Sequence, residues 1–376
     1  MRELNFHPDW EPGSKENERD QRATYDRMRE RCPVAFSEER GWSVFRHEDV
    51  LRILNDPTTF SNVVSGHPAV PNGMDPPKHT EYRRIVEGYF TSERVAAFEP
   101  ECRSIAGALV ADNLARGNVE FMESLAVPFA AQVQCAFLGW PMDLATSLAG
   151  WAEKSYEATR AGDRTAIADA AREFDQLIAA RMEACHHAGK ARGHDITADL
   201  MVQEVGGRPL NHEEISSILR NWTVGEIGTI AASVGILVHF LAVHPDVQRQ
   251  LRANGTLLPA AIDEILRLDG PLVSNRRVTT CPVTIGDRAI DANERISINW
   301  ISANRDGDVF VDPYDYNPDR DPATNLLYGA GIHVCPGASL ARLELRVILE
   351  EILQRTDRIQ LDAANATARA VYPASG

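Results

Sequence analysis

The sequence predicts a single domain, residues 1–376, mainly α with a smaller β region. Three patterns carry that reading. Apolar residues recur at three- and four-residue spacing from Thr80 to about Leu268, two segments after Pro271 have strand composition, and Leu340–Leu353 is again helical in pattern. At 376 residues, 44% hydrophobic and 25% charged, the chain has the composition of an ordinary globular protein with room to enclose a sizeable ligand.

In chain order, Trp42-Ser43-Val44-Phe45 alternates as a short strand. The helical part follows, with Ala166–Ala184 and Glu213–Val243 as its clearest runs and Pro245 as a stop for the second. Val278–Ile285 and Arg295–Ile301 read as strands with Gly286-Asp287 as a turn between them. Ala303–Pro322, rich in Asp, Pro and Asn, reads as a long irregular loop, a kind usually functional or packed against something specific. Leu340–Leu353 is the last helix.

The net charge of −15 and pI near 5.2 argue against sequence-independent binding of nucleic acid or of an anionic membrane. The longest apolar stretch, Ile227–Val243, is interrupted by Gly228, Thr229, Ser233 and His239, too short and polar for a membrane span. The N-terminus lacks the apolar core of a signal peptide, so a soluble, cytoplasmic protein is expected. Six cysteines stand singly with no CxxC, which suits neither a zinc site nor a disulfide framework.

One cysteine has unusual company. Tyr328-Gly329-Ala330-Gly331-Ile332-His333-Val334-Cys335-Pro336-Gly337 leads straight into a helix. Its glycines permit tight turns and close approach to a flat ligand, and a helix N-terminus favours a thiolate at Cys335. One thiolate with a single nearby histidine is too few ligands for zinc but suits an axial ligand of haem iron. The ten residues resemble the cysteine-ligand loop of the cytochrome P450 family, Phe-Gly-x-Gly-x-His-x-Cys-x-Gly, with Tyr328 in place of the first Phe.

The resemblance spans nearly the whole chain. Asp75-Pro76-Pro77-Lys78-His79-Thr80-Glu81-Tyr82-Arg83-Arg84 is similar to the family's Asp-Pro-Pro-x-His-Thr-x-x-Arg-Arg. His79 and Arg83, four apart on one helical face, could clamp haem propionates. The family implies the same role for His333 and for Arg277, with Arg276 left open as the alternative, and places Gly329 and Gly337 against the cofactor. Glu264-Ile265-Leu266-Arg267 resembles the Glu-x-x-Arg pair, and Arg320 the arginine that completes that structural cluster. The implied fold is the cytochrome P450 fold: a prism-like helical body with haem b between a long distal helix and the cysteine loop.

The long helix departs from the family. Counting back from His244-Pro245, Thr229 takes the position of the usual threonine, but Gly228 stands where an acid is expected and Glu226 where a glycine is expected. Either Glu226 and Thr229, three apart, serve one proton relay through water, or Glu226 pairs elsewhere and the relay is altered.

The resemblance implies a monooxygenase inserting one atom of O2 into a small hydrophobic substrate, with electrons from a ferredoxin or flavodoxin and its reductase. Arg342 and Arg346 are candidates for docking that carrier. The implied pocket comprises the 61–74 loop, Ile227, Leu272, Val273, Ser274 and Asn275. The missing acid keeps a peroxide-driven peroxygenase and a haem-thiolate isomerase or dehydratase as competing readings, and a non-catalytic haem-binding protein is a further one. The chain is also expected to be short at its C-terminal end, at Val371–Gly376, where related chains continue into a final strand.

Overall fold

The longest helix begins where the sequence supplies a reciprocal cap. The Asn211 side chain accepts from the Glu214 backbone N–H at 2.9 Å, and the Glu214 carboxylate accepts from the Asn211 N–H at 2.9 Å. From there His212–Val243 runs 32 residues through the protein. Among the described residues it is the one helix long and apolar enough to cross a membrane, yet half of its most apolar window is buried as core. Pro245, expected as a stop, also starts the next helix, Pro245–Ala253, where a missing N–H costs nothing. The computed structural model describes residues 8–66, 68–117, 120–188 and 194–362, so the Val371–Gly376 expectation lies outside the described residues.

Helices Lys78–Glu87, Ser92–Arg116, Val127–Leu138 and Ala338–Arg355 join the long helix around one large apolar core. The β region is smaller. Strands β1 (Val34–Ser37), β2 (Gly41–Val44), β3 (Phe60–Ser61), the minor pair β4 (Glu204–Val205) and β5 (Arg208–Pro209), β6 (Ser274–Thr279), β7 (Val283–Ile285), β8 (Arg288–Ile290) and β9 (Arg295–Asn299) follow in order. The main sheet has the order β1-β2-β9-β6-β3, with β2 and β9 parallel and its other pairs antiparallel.

Two strand expectations change. Val278–Ile285 is split between β6 and β7, and Gly286-Asp287 closes the β7–β8 hairpin with Gly286 at φ 58°. Arg295–Ile301 ends as a strand at Asn299 because Trp300–Ala303 turns into a short helix.

Candidate active site

The cysteine loop is shaped by its glycines. Gly331 has φ 68°, and an added Cβ would lie 2.3 Å from the Leu54 carbonyl oxygen, so no other residue fits. Gly329 also has positive φ, at 74°. At Gly337 a Cβ would stand 3.5 Å from Phe90 and 4.0 Å from the Cys335 sulfur, which keeps the ligand's flank clear. The Cys335 N–H donates to the Tyr328 carbonyl at 2.8 Å, closing the loop. Cys335 itself is exposed, yet burial pushes its thiol up, against a weaker lowering by the Gly337 N–H and Arg83. The expected lowering by the helix N-terminus does not win, because desolvation of the sulfur is the larger effect.

Basic groups converge beside it. His79 and Arg83 are 2% and 7% exposed on helix Lys78–Glu87, and the rings of His79 and His333 lie 4.2 Å apart, centroid to centroid. Arg83 donates to the Val334 carbonyl at 2.6 Å and to Glu87 at 2.7 Å, tying its helix to the cysteine loop. Arg277 is 4% exposed and reaches the same group from β6, while Arg276 points to the opposite face of the sheet near Arg295 and Arg40. Burial holds Arg277 down at about 10. His333 is pushed to about 3, by burial first and then by the charges of His79, Arg277 and Arg83. The Nε2 atoms of His79 and His333 are buried with no hydrogen-bond partner among the described residues. Asp75 and Glu87 offset part of this charge, but the two histidine nitrogens stay without a bond, so the cluster is suited to hold an acidic group.

Glu264, Arg267 and Arg320 meet in one cluster. Arg267 clasps Glu264 with bonds of 2.7 and 2.9 Å, and Arg320 donates to the same carboxylate at 3.0 Å. Arg267 also holds the carbonyls of Asn304 and Pro313, so the charge pair anchors the irregular loop.

On the long helix the Thr229 hydroxyl donates to the Gly225 carbonyl at 2.6 Å, a bond back along the helix that tends to bend it. Glu226 does not bond Thr229; it meets Glu344 from helix Ala338–Arg355. Gly228 is filled from outside: an added Cβ would lie 1.7 Å from the Tyr156 hydroxyl, which donates to the Val224 carbonyl at 2.5 Å. No acid fits there unless that ring moves. The sequence reading missed both Tyr156 and Glu344. Glu344 had a signal, as a carboxylate between core residues Leu343 and Leu345; Tyr156 had none.

The residues expected to line the pocket differ in their placement. Ile227, 3% exposed, lies on the core face of the long helix, whose half-buried face carries Trp222, Gly225, Glu226 and Thr229. Val273 is fully buried in a separate cluster with Trp10, Tyr25 and Phe45. Leu272 and Asn275 remain partly accessible; Ser274 is buried. The docking candidates are also engaged: Arg342 pairs with Asp263 and stacks on Tyr328, and Arg346 pairs with Glu99 and Glu350.

A family model described as Cytochrome P450 matches residues 158–358. Cyclomarin C epoxidase CymV of Salinispora arenicola is 32% identical over 351 residues, covering 89% of this chain and 88% of that protein. The chain belongs to the cytochrome P450 family. Erythromycin C-12 hydroxylase of Saccharopolyspora erythraea is 32% identical, with 89% and 87% of the two chains covered. The solved structure of the open cytochrome P450 EryK from S. erythraea matches with a TM-score of 0.84 at 29% identity, over 94% of this chain and 93% of that one. As a P450 monooxygenase the chain takes haem as cofactor and acts on an organic substrate. The residues fit that group: one exposed thiol on a glycine-rich loop, beside two buried histidine nitrogens that bond nothing among the described residues and a buried arginine.

Proposed function

We propose that the chain is a single haem-thiolate domain in which Cys335 ligates the iron and His79, Arg83, Arg277 and His333 hold the propionates. The supporting observation is the convergence of these donors, with unpartnered His79 and His333 nitrogens, at the loop that carries Cys335. When bound, haem supplies the activation of O2 for insertion into the substrate. The protein's own contribution is positional. The Gly329–Gly337 backbone fixes the sulfur, Arg83 braces that loop, and the Glu264–Arg267–Arg320 cluster holds the chain leading into it. Thr229 and Glu226, on the half-buried face of the long helix, conduct protons inward.

The relatives named for epoxidation of cyclomarin C and for hydroxylation of erythromycin support hydroxylation or epoxidation of a mostly apolar organic molecule. Leu272 and Asn275 give that pocket an apolar wall and a polar handle. Electrons come from a separate ferredoxin or flavodoxin with its reductase, and the chain works in the cytoplasm.

Haem content tests the cradle. Arg277→Ala is expected to lose most bound haem after gel filtration, whereas Arg276→Ala, on the other sheet face, retains it. Equal retention by both variants would remove Arg277 from the cradle.

A further inference from the structure

Glu226 and Glu344 come from opposite ends of the site. Glu226 lies one helical turn before Thr229, and Glu344 lies nine residues after Cys335 and is 0% exposed. The two carboxyls are within hydrogen-bonding reach of each other. Oε1 of Glu226 and both Glu344 oxygens are buried and accept no bond from an N–H or O–H among the described residues. The titratable groups that sense them are the Cys102 thiol on Ser92–Arg116, the Tyr328 hydroxyl and the Cys335 thiol on the loop. None of these is a cation, and each carboxyl is perturbed by burial and by the other.

Two carboxylates in contact in the interior repel, and neither has a counter-ion among the described residues. One O–H between them satisfies both, as a charge-assisted hydrogen bond. A second observation concerns the neighbouring position. Where the family carries its acid, Gly228 is covered by the Tyr156 ring, so the usual route is closed by packing.

We propose that Glu226 and Glu344 hold one proton between them and supply it to the face of the long helix that carries Thr229, in place of the family's acid. This rests on the reading that this face conducts protons. The monooxygenase reaction consumes O2, substrate, two electrons from the carrier and two protons, and yields hydroxylated product and water. In each proton transfer the Glu344 O–H bond breaks as the Glu226 carboxylate takes the proton. Glu226 then releases it to a water at Thr229, and solvent reprotonates the pair. No electrons move in these steps.

The test is the infrared C=O band of protonated carboxyls, followed across pH on the holoenzyme with the Glu226→Gln/Glu344→Gln double variant as baseline. The wild type is expected to carry one protonated carboxyl at neutral pH, to gain the second on acidification, and to lose the first only in a separate step well into the alkaline range. Each single Gln variant removes the repulsion, so its remaining glutamate titrates in one step below that upper one. NADPH-driven oxygen consumption with a ferredoxin and its reductase is expected to fall several-fold in each single variant and no further in the double, because the pair acts as a unit. A wild type with none or both carboxyls protonated at neutral pH, or an upper step unmoved in Glu226→Gln, overturns the shared proton. If Glu344→Gln does not fold, the wild-type titration and Glu226→Gln decide the question. Thr229→Ala separates the two readings. Unchanged oxygen consumption and peroxide release in that variant refute the role of Thr229 and leave the pair standing. A missing two-step titration refutes the pair whatever Thr229→Ala does.

Discussion

Gly228→Ala tests whether Tyr156 closes the family's acid position. In an ordinary helix interior, replacing Gly with Ala stabilises by about 1 kcal/mol. Here the added methyl would sit 1.7 Å from the Tyr156 hydroxyl oxygen and 2.2 Å from its ring carbon Cζ, so the ring must leave. The ring gives up its bond to the Val224 carbonyl, worth about 1 kcal/mol, and packing elsewhere costs roughly 1–3 kcal/mol more. The net effect in the wild-type background is a loss of about 1–3 kcal/mol. In a Tyr156→Ala background the clash is absent and the same change is expected to stabilise by about 1 kcal/mol. The two sites therefore couple by about 2–4 kcal/mol, in the upper part of the range for residues in contact or beyond it. Equilibrium urea unfolding of the four holoproteins measures the cycle. A Gly228→Ala protein as stable as wild type, or more so, would show that Tyr156 does not occupy the acid's place.

Other consequences can be checked separately. Arg267→Ala strips Glu264 of its main partner in a site where both are almost fully buried, and is expected to cost about 3–5 kcal/mol in urea unfolding. Gly331→Ala combines a positive φ with a 2.3 Å approach to the Leu54 carbonyl, so purified protein is expected with little haem by absorbance. The carboxyl pair sets a pH dependence of stability. Burial raises both Glu226 and Glu344 above the ordinary 4.5, so above that pH the folded state holds more protons than the unfolded chain. Their contribution is full below 4.5 and is lost as pH rises, by up to about 1.4 kcal/mol per pH unit for each proton retained. Thermal melts of wild type against the double Gln variant should show that slope disappear; a slope unaltered by the double variant would contradict it.

Legibility in the sequence followed the range over which each feature is determined. The cysteine loop could be read because its constraints are local: glycines at fixed offsets and one sulfur before a helix. His79, Arg83, Glu264 and Arg267 could be read because helical spacing fixes which side chains share a face. Ile227 lies on the core face because one residue of helix turns its side chain by about 100° from that of Glu226, which shares the half-buried face with Thr229. Val273 stands just before β6 and packs against Trp10, Tyr25 and Phe45, a contact between remote segments that no local pattern encodes. Glu344 and Tyr156 meet the long helix from remote elements, through packing that no local pattern encodes. Arg346 looked like an available surface charge, and only the packing of helix Ser92–Arg116 against Ala338–Arg355 shows that Glu99 takes it.

The most direct test of haem-thiolate chemistry is the absorption spectrum of the dithionite-reduced, CO-bound holoprotein, compared with that of Cys335→Ser. Ligation by Cys335 predicts a strongly red-shifted Soret band in the wild type that the variant lacks. An ordinary haem–CO band in the wild type, or a red-shifted band that survives in Cys335→Ser, would contradict it.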